Sequence, residues 1–190
     1  MTRGYLLLPF RQGHLDGLCG IYAIINAIRV VLGDPSRHIT AEAWQELYAV
    51  LMLAVDETIG AATAAGCGIE TKPLLHLLKV AARHMADEHE VELTFTRLLK
   101  RRERPPLRKI LPWLARISEE PNTAILVSFL GHLDHWTVLR RVSETSIAFF
   151  DSSGFKRVVI ANCRMTYERP TVTERKHIID PRAVIRIGMK

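Results

Sequence analysis

A change in residue pattern near Asn122 constrains the fold of this chain more than any other feature of its sequence. Before it, apolar residues recur at the three- and four-residue spacing of amphipathic helices. After it, they form short runs at 123–130, 135–139 and 146–150, separated by turn-forming residues. Because the helices come first and the strands follow, the sequence predicts an α+β fold.

Local signals place the individual elements. The first helix begins near Cys19 and is stopped by Gly33-Asp34-Pro35, and the second follows Thr40, a suitable N-cap. After a small-residue loop at 60–68, a third helix begins at Thr71. The remaining predictions are a strand at 91–95, a helix at 107–118 with Pro112 in its first turn or at a kink, strands at 155–160 and 183–187, and a short strand or extended segment at the N-terminus.

The composition indicates one domain in a reducing compartment. A chain of 190 residues can bury a sufficient core without disulfides, and we expect a helical half over about 1–120 and a sheet half over about 121–190. Three cysteines form no disulfide framework, so we expect a cytoplasmic protein. No run approaches the roughly 20 apolar residues of a membrane span, so we expect none.

The net charge of +6 is concentrated in the basic run at 100–104. Such a run can meet nucleic acid or an acidic partner, or it can form a solvated linker. No zinc-finger spacing, RNA-binding signature or aromatic stacking platform accompanies it. We therefore favour the linker and expect no nucleic-acid partner, whereas no feature of the sequence indicates an oligomeric state.

Cys19 is the first candidate catalytic residue. A loop containing Gly13, Asp16 and Gly17 precedes it and an apolar helix follows it, so the thiol lies in the first turn of a helix. A helix N-terminus carries about half a positive charge and unpaired N–H groups, which favour the nucleophilic thiolate. A buried structural cysteine is the alternative interpretation. Asp16 is interpreted as a cap of this helix, with a substrate contact as the alternative.

A base and an orienting acceptor for Cys19 occur in the second half of the chain. His135 opens one predicted strand and Asp151 closes the next. If these strands form a hairpin, the two side chains can meet at hydrogen-bonding distance. Asp151 would then hold the imidazole in one tautomer while His135 takes and returns the proton of Cys19. Gln12 is a candidate for an oxyanion hole that it would share with the Cys19 N–H.

The order Gln12, Cys19, His135, Asp151 resembles that of the papain-like cysteine peptidases. The segments that carry the resemblance are the Cys-Gly pair at the start of the central helix, and Asp134-His135-Trp-Thr-Val-Leu followed by Phe-Phe-Asp151-Ser-Ser-Gly. Within that superfamily the chain is most similar to the bacterial peptidases that process double-glycine bacteriocin leaders, which have Cys-Gly and an aspartate as third member. Gly68-Ile69 and the leucine-rich helix after it also resemble that branch.

This resemblance implies a papain-like fold, in which a helical half carrying Cys19 packs on an antiparallel sheet carrying His135 and Asp151. It implies a thiol protease, a hydrolase that cleaves a peptide or isopeptide bond of a protein or peptide substrate through a thioester, with no cofactor. The same triad would serve a papain-like acyltransferase, transglutaminase or glutamine deamidase. An inactive papain-like module that binds a protein partner is a further alternative.

Two alternatives concern the neighbours of His135. His132 is a rival base, but His135 directly abuts the apolar strand and its spacing to Asp151 fits the papain pattern. His132, Asp134 and His135 could instead bind a metal, although no second cluster with ligand spacing completes such a site. Trp136 is interpreted as a core residue, with a wall of the active-site cleft as the alternative.

Overall fold

The structure, a computed structural model, describes residues 7–13, 16–100, 102–169 and 177–190. The fold is α+β, as the change of residue pattern predicts. The helices are α1 Cys19–Leu32, α2 Ala41–Thr58, α3 Ala61–Cys67, α4 Thr71–His89 and α5 Leu107–Ser118, with short 3₁₀ helices at Asp34–Arg37 and Ile160–Asn162. The strands are β1 Leu93–Arg97, β2 Thr123–Gly131, β3 His135–Val142, β4 Ser146–Phe150, β5 Arg157–Val159, β6 Cys163–Met165 and β7 His177–Met189.

The strands form one seven-stranded sheet in the order β1-β7-β2-β3-β4-β5, with β6 paired to β7 outside this path. Every pair is antiparallel except β6 with β7, which is parallel. β1 precedes residue 120 but pairs with β7 near the C-terminus. The sheet therefore draws strands from both of the halves that the sequence predicts.

Each face of the sheet carries its own apolar core. Successive strand residues alternate between the faces, so Leu126 and Ile185 join the core around α1, whereas Ile125 and Val184 join the core around α5. α1 is buried along most of its length because α2 and α4 lie in the same core as the sheet residues that face it. This central position fixes the N-terminal end of α1, which begins with Cys19, against the sheet.

Several local predictions agree closely with the structure. α1 ends at Leu32, and Gly33 after it has a φ of 61°, a conformation that favours glycine. The Thr40 hydroxyl oxygen accepts a hydrogen bond of 3.2 Å from the N–H of Ala43, which makes it the N-cap of α2. α5 has the predicted bounds and contains Pro112.

Other elements differ from the predictions. The segment at 60–68, predicted as a loop, contains the helix α3, because alanine is the strongest helix former and glycines with positive φ bound the helix at both ends. β7 is longer than the predicted strand at 183–187, and the strand predicted at 155–160 shortens to β5. In the predicted N-terminal strand or extended segment, residues 7–10 have no regular secondary structure, and residues 1–6 lie outside the described residues.

In the part of the chain that the structure describes, no single helix is long and apolar enough to cross a membrane. α2 and α3 have the length and composition of a membrane span only when they are taken together, and the chain bends by 97° between them.

Candidate active site

Three separate elements bring Cys19, His135 and Asp151 together. Cys19 is the first residue of α1, His135 is the first residue of β3, and Asp151 directly follows β4. β3 and β4 form the antiparallel hairpin that the sequence predicts, with Val138 opposite Phe150. The start of β3 therefore lies beside the end of β4, and the N-terminus of α1 approaches these two strand ends.

His135 and Asp151 form a buried ionic hydrogen bond. The distance from His135 Nε2 to Asp151 Oδ2 is 2.7 Å, and the two residues are 7% and 3% exposed. The other carboxylate oxygen, Oδ1, accepts hydrogen bonds from the backbone N–H groups of Ser153 (2.9 Å) and Phe155 (3.0 Å). The Phe155 ring lies edge-on to the imidazole, with 5.4 Å between the ring centroids. The turn after β4 thus orients the carboxylate and covers the imidazole.

The electrostatics of this pair favour its charged form. Burial lowers the pKa of His135, but hydrogen bonds and charges of Asp151 and Cys19 outweigh burial and raise that pKa to about 9. Burial likewise raises the pKa of Asp151, but the His135 imidazolium and the N–H of Phe155 hold it below its usual range. A buried imidazolium and a buried carboxylate therefore compensate each other's loss of hydration.

Cys19 contacts the imidazole from the other side. The hydrogen bond of the thiol itself is to the carbonyl oxygen of Gly17, at 3.8 Å. Interaction with the Cys19 side chain adds to the raised pKa of His135, and because Asp151 occupies Nε2, Nδ1 is the nitrogen left to face the sulfur. The N-cap residue of α1 is Leu18, and no side chain caps the helix from that position. The N-terminal N–H groups of α1 are thus left for a negative charge at or near the sulfur.

The loop before Cys19 is ordered by two hydrogen bonds. Asp16 Oδ1 accepts from the N–H of Leu18 at 3.1 Å, so Asp16 orders the residue before the helix rather than capping from the N-cap position. The N–H of Gly17 donates to the carbonyl oxygen of Ala65 in α3 at 2.7 Å. A Cβ at position 17 would lie 2.9 Å from that oxygen, so only glycine allows this approach.

Gln12 links the loop before Cys19 to the turn that contains Asp151. Its side-chain Nε2 donates to the carbonyl of Asp16, and its Oε1 accepts from the hydroxyls of Ser152 (3.3 Å) and Ser153 (3.4 Å). Its backbone N–H donates to the carbonyl of Ser152 at 3.2 Å. The amide group is therefore engaged in holding two loops together, and its role in an oxyanion hole stays a prediction.

The N-terminal segment, residues 7–13, connects these loops to α1. The side chain of Asn26, fully buried in α1, accepts from the N–H of Phe10 at 2.7 Å and donates to the carbonyl of Phe10 at 3.1 Å. The Arg29 guanidinium lies over the Phe10 ring, 4.1 Å from its centroid. Gln12, two residues later, then reaches the Asp151 turn.

A cavity of about 970 Å³ opens beside Cys19 and His135. Trp136 lines it and also belongs to the core: the residue is 4% exposed, and its indole N–H donates to the carbonyl of Ile69 at 2.7 Å. Trp136 is therefore a core residue that also lines this cavity, and a role in an active-site cleft stays a prediction. The other walls are the segment 67–72, the residues at the end of β1 and shortly after it, part of β2, and Asp180 and Arg182 of β7.

No pattern in the sequence indicates that the β2 and β7 residues of the cavity belong to the site. Ser128, Asp180 and Arg182 lie at a register shift between the two strands, between the pairs Val127–Val184 and Phe129–Ile179. Bulges of this kind re-aim side chains and are common beside functional sites. A long-range strand pairing has no local signature, so these residues could be found only in the fold.

The alternatives near His135 find less support in the geometry. His132 is exposed, does not line the cavity, and is not the histidine that Asp151 binds. Within the described ranges, no group of three or more histidine, cysteine, aspartate or glutamate residues is arranged to hold a metal ion. Cys67 is exposed on the cavity wall, and Cys163 is buried in the core around α5.

Searches of protein-family models, of curated proteins and of solved structures found no match to this chain.

Proposed function

We propose that this chain is a cysteine peptidase with a papain-like fold, in which Cys19, His135 and Asp151 form the catalytic triad. The observation that carries the proposal is the convergence of these three residues: Asp151 holds the buried imidazole of His135 at 2.7 Å on one side, and the side chain of Cys19 interacts with it on the other. Thiol catalysis requires a base beside the nucleophilic thiol and an acceptor that orients this base. The adjoining cavity gives a substrate access to the sulfur.

The geometry supports a two-step reaction. The Cys19 thiolate attacks the carbonyl carbon of the scissile bond, and the developing oxyanion lies near the uncapped N-terminus of α1. His135 then gives its Nδ1 proton to the departing amine as the C–N bond breaks, which leaves a thioester on Cys19. In the second step, neutral His135 takes a proton from water, the resulting hydroxide equivalent cleaves the thioester, and the carboxylic acid and the thiolate are released.

Acyl transfer to an amine and glutamine deamidation share every step as far as the thioester. These alternatives differ from hydrolysis in the nucleophile of the second step or in the amide that is attacked. Product analysis by mass spectrometry, with and without an added primary amine, separates them. An inactive binding module would not need an imidazolium buried against a thiol, because an ion pair of this kind is seldom the most stable way to fill a protein interior.

The reactivity of Cys19 tests the proposal without a known substrate. Near about pH 6, an ordinary thiol is less than about 1% thiolate and reacts slowly with iodoacetamide. We expect Cys19, although it is buried, to be alkylated at least about 10-fold faster than the exposed Cys67. The variant His135→Gln should remove this advantage. Alkylation of Cys19 no faster than that of Cys67 would contradict the thiolate–imidazolium pair.

Turnover of peptides tests the triad itself. With a peptide library and detection by mass spectrometry, Cys19→Ala and His135→Ala should each abolish cleavage, and the double variant should add little because the two residues act as a unit. Asp151→Ala should retain some activity. Equal cleavage by the wild type and Cys19→Ala would refute the mechanism.

A further inference from the structure

We propose that the cavity beside Cys19 receives an acidic side chain of the substrate, held by the basic residues Lys72, Arg97 and Lys100 and by the hydroxyl of Ser128. This inference rests on the proposed function, since it names the class of peptide that the candidate peptidase would accept. It gives the cavity a preference for glutamate or aspartate close to the bond that is cleaved.

Ser128 is the observation that points to a ligand. It lies on β2 directly opposite Trp136, and both residues line the cavity together with the candidate catalytic histidine. Ser128 is 7% exposed and lines the cavity, and no hydrogen bond to its hydroxyl is found among the described residues. The hydroxyl is not one of the enclosed polar atoms that lack a partner, so it is open to the cavity and free to bind a ligand there. A carboxylate entering the cavity would supply an acceptor for it.

The basic residues come from two parts of the fold that meet at the cavity. Lys72 lies in the first turn of α4, Arg97 ends β1 and Lys100 follows it. All three side chains are exposed, and none of them forms an ion pair with another described residue. Unpaired cations that converge on one cavity attract an anion, and hydrogen bonds between charged groups are about twice as strong as neutral ones.

The acidic residues of the cavity do not cancel this attraction. Asp180 is 5% exposed, and both of its carboxylate oxygens bind the guanidinium of Arg182 at 3.0 to 3.3 Å, so its charge is neutralised locally. Apart from this pair and from Cys19 and His135, the charged side chains that line the cavity are three cations and two carboxylates, Glu70 and Asp134. A basic substrate side chain would meet this excess of positive charge and would have to displace Arg182 to reach Asp180.

The basic part of the cavity lies on a path that a peptide can follow. A second depression of about 270 Å³ shares Leu99, Lys100, Asp180 and Arg182 with the cavity and contains neither Cys19 nor His135. Lys100 and Arg182 therefore lie between the reactive sulfur and the next depression. An extended peptide with its scissile bond at Cys19 can place a side chain among the cations.

The first test uses two small alkylating reagents and needs no substrate. Iodoacetate carries a carboxylate and iodoacetamide does not, so the ratio of their rates at Cys19 reports the local potential and is independent of the thiolate fraction. We expect the double substitution Arg97→Gln and Lys100→Gln to lower this ratio at least about 3-fold at low ionic strength, and added salt to reduce the difference. Arg108→Gln, which removes an exposed cation of α5 outside the cavity, should leave the ratio unchanged. An equal ratio in the double variant and the wild type would overturn the proposal.

The second test uses peptides cleaved by the wild type. Replacing glutamate or aspartate near the scissile bond by glutamine or asparagine should lower kcat/KM about 10-fold or more. In the variant Ser128→Ala, the ratio of kcat/KM between the acidic peptide and its amide counterpart should be smaller than in the wild type. Cleavage that is indifferent to the acidic residue, or that favours lysine or arginine at that place, would refute the inference and leave the peptidase standing. A lack of any cleavage would count against the proposed function, whereas the alkylation ratio would still decide the character of the cavity.

Discussion

The substitution Asp151→Asn isolates the charge of the ion pair with His135. Asparagine has nearly the same shape, and its carbonyl oxygen can still accept from the N–H groups of Ser153 and Phe155 that now bind Asp151 Oδ1. What disappears is the negative charge 2.7 Å from His135 Nε2. Without it, burial dominates, and the pKa of His135 should fall from about 9.

The expected loss of stability follows from the raised pKa. The gap between the ordinary value of 6.5 and the value of about 9 corresponds to about 3 kcal/mol, at roughly 1.4 kcal/mol for each pH unit. Because the folded-state pKa is the higher one, this contribution is present in full below pH 6.5 and is lost as the pH rises through 9. The free energy of unfolding of Asp151→Asn should therefore lie about 3 kcal/mol below that of the wild type near pH 6, and the difference should shrink near pH 10.

Urea unfolding followed by circular dichroism measures this difference at the two pH values. Asp134→Asn is the matched control, because it removes the same charge from the residue next to His135, is exposed, and makes no hydrogen bond to the imidazole. The free energy of unfolding of Asp134→Asn should differ little from that of the wild type, and this difference should be the same near pH 6 and near pH 10. If the difference between Asp151→Asn and the wild type were the same near pH 6 and near pH 10, the reasoning from the charged pair would be wrong.

Two further substitutions probe the surroundings of the site. Trp136→Phe leaves the carbonyl of Ile69 without its 2.7 Å donor and should lower the free energy of unfolding in urea by about 1 to 3 kcal/mol; a change within error would mean that water replaces the indole. Gly154→Ala forces a side chain into a backbone with a φ of 89°, so it should destabilise the protein by about 1 kcal/mol or more in the same assay; the guanidinium of Arg11, 2.5 Å from the new Cβ, is exposed and can move aside. Because Gly154 lies in the turn that orients Asp151, peptide turnover should fall as well, and unchanged turnover would show that the turn tolerates the strain.

The parts of the fold that the sequence predicts well are those with local causes. The bounds of α1 and α5 follow from apolar spacing and from the residues that stop a helix, and the N-cap at Thr40 follows from its hydroxyl. α3 was missed because its glycines and small residues suggested a loop, although alanine favours a helix. β7 was predicted too short because Pro181 interrupts the apolar run; in the sheet, that proline lies in the stretch of β7 that does not pair with β2.

The candidate site likewise contains residues that local sequence patterns predict and others that only the fold reveals. Cys19, His135 and Asp151 stand at the ends of elements that the sequence predicts, so a hairpin was sufficient to bring the last two together. Ser128 and Asp180 belong to strands whose pairing crosses more than fifty residues, and no local pattern marks them. The partners of Gln12 Oε1 were equally hidden, because two serines of a distant turn provide them.

The N-terminal segment, residues 7–13, joins α1 to the Asp151 turn, so it connects two parts of the candidate active site. The side chain of Asn26 hydrogen-bonds to both polar groups of the Phe10 backbone at one end of this segment. At the other end, the backbone N–H of Gln12 donates to the carbonyl of Ser152. Neither contact involves the sulfur or the imidazole. Because Leu7 and Phe10 of the same segment pack against the core around α1, a force applied to the segment would reach that core as well as the Asp151 turn.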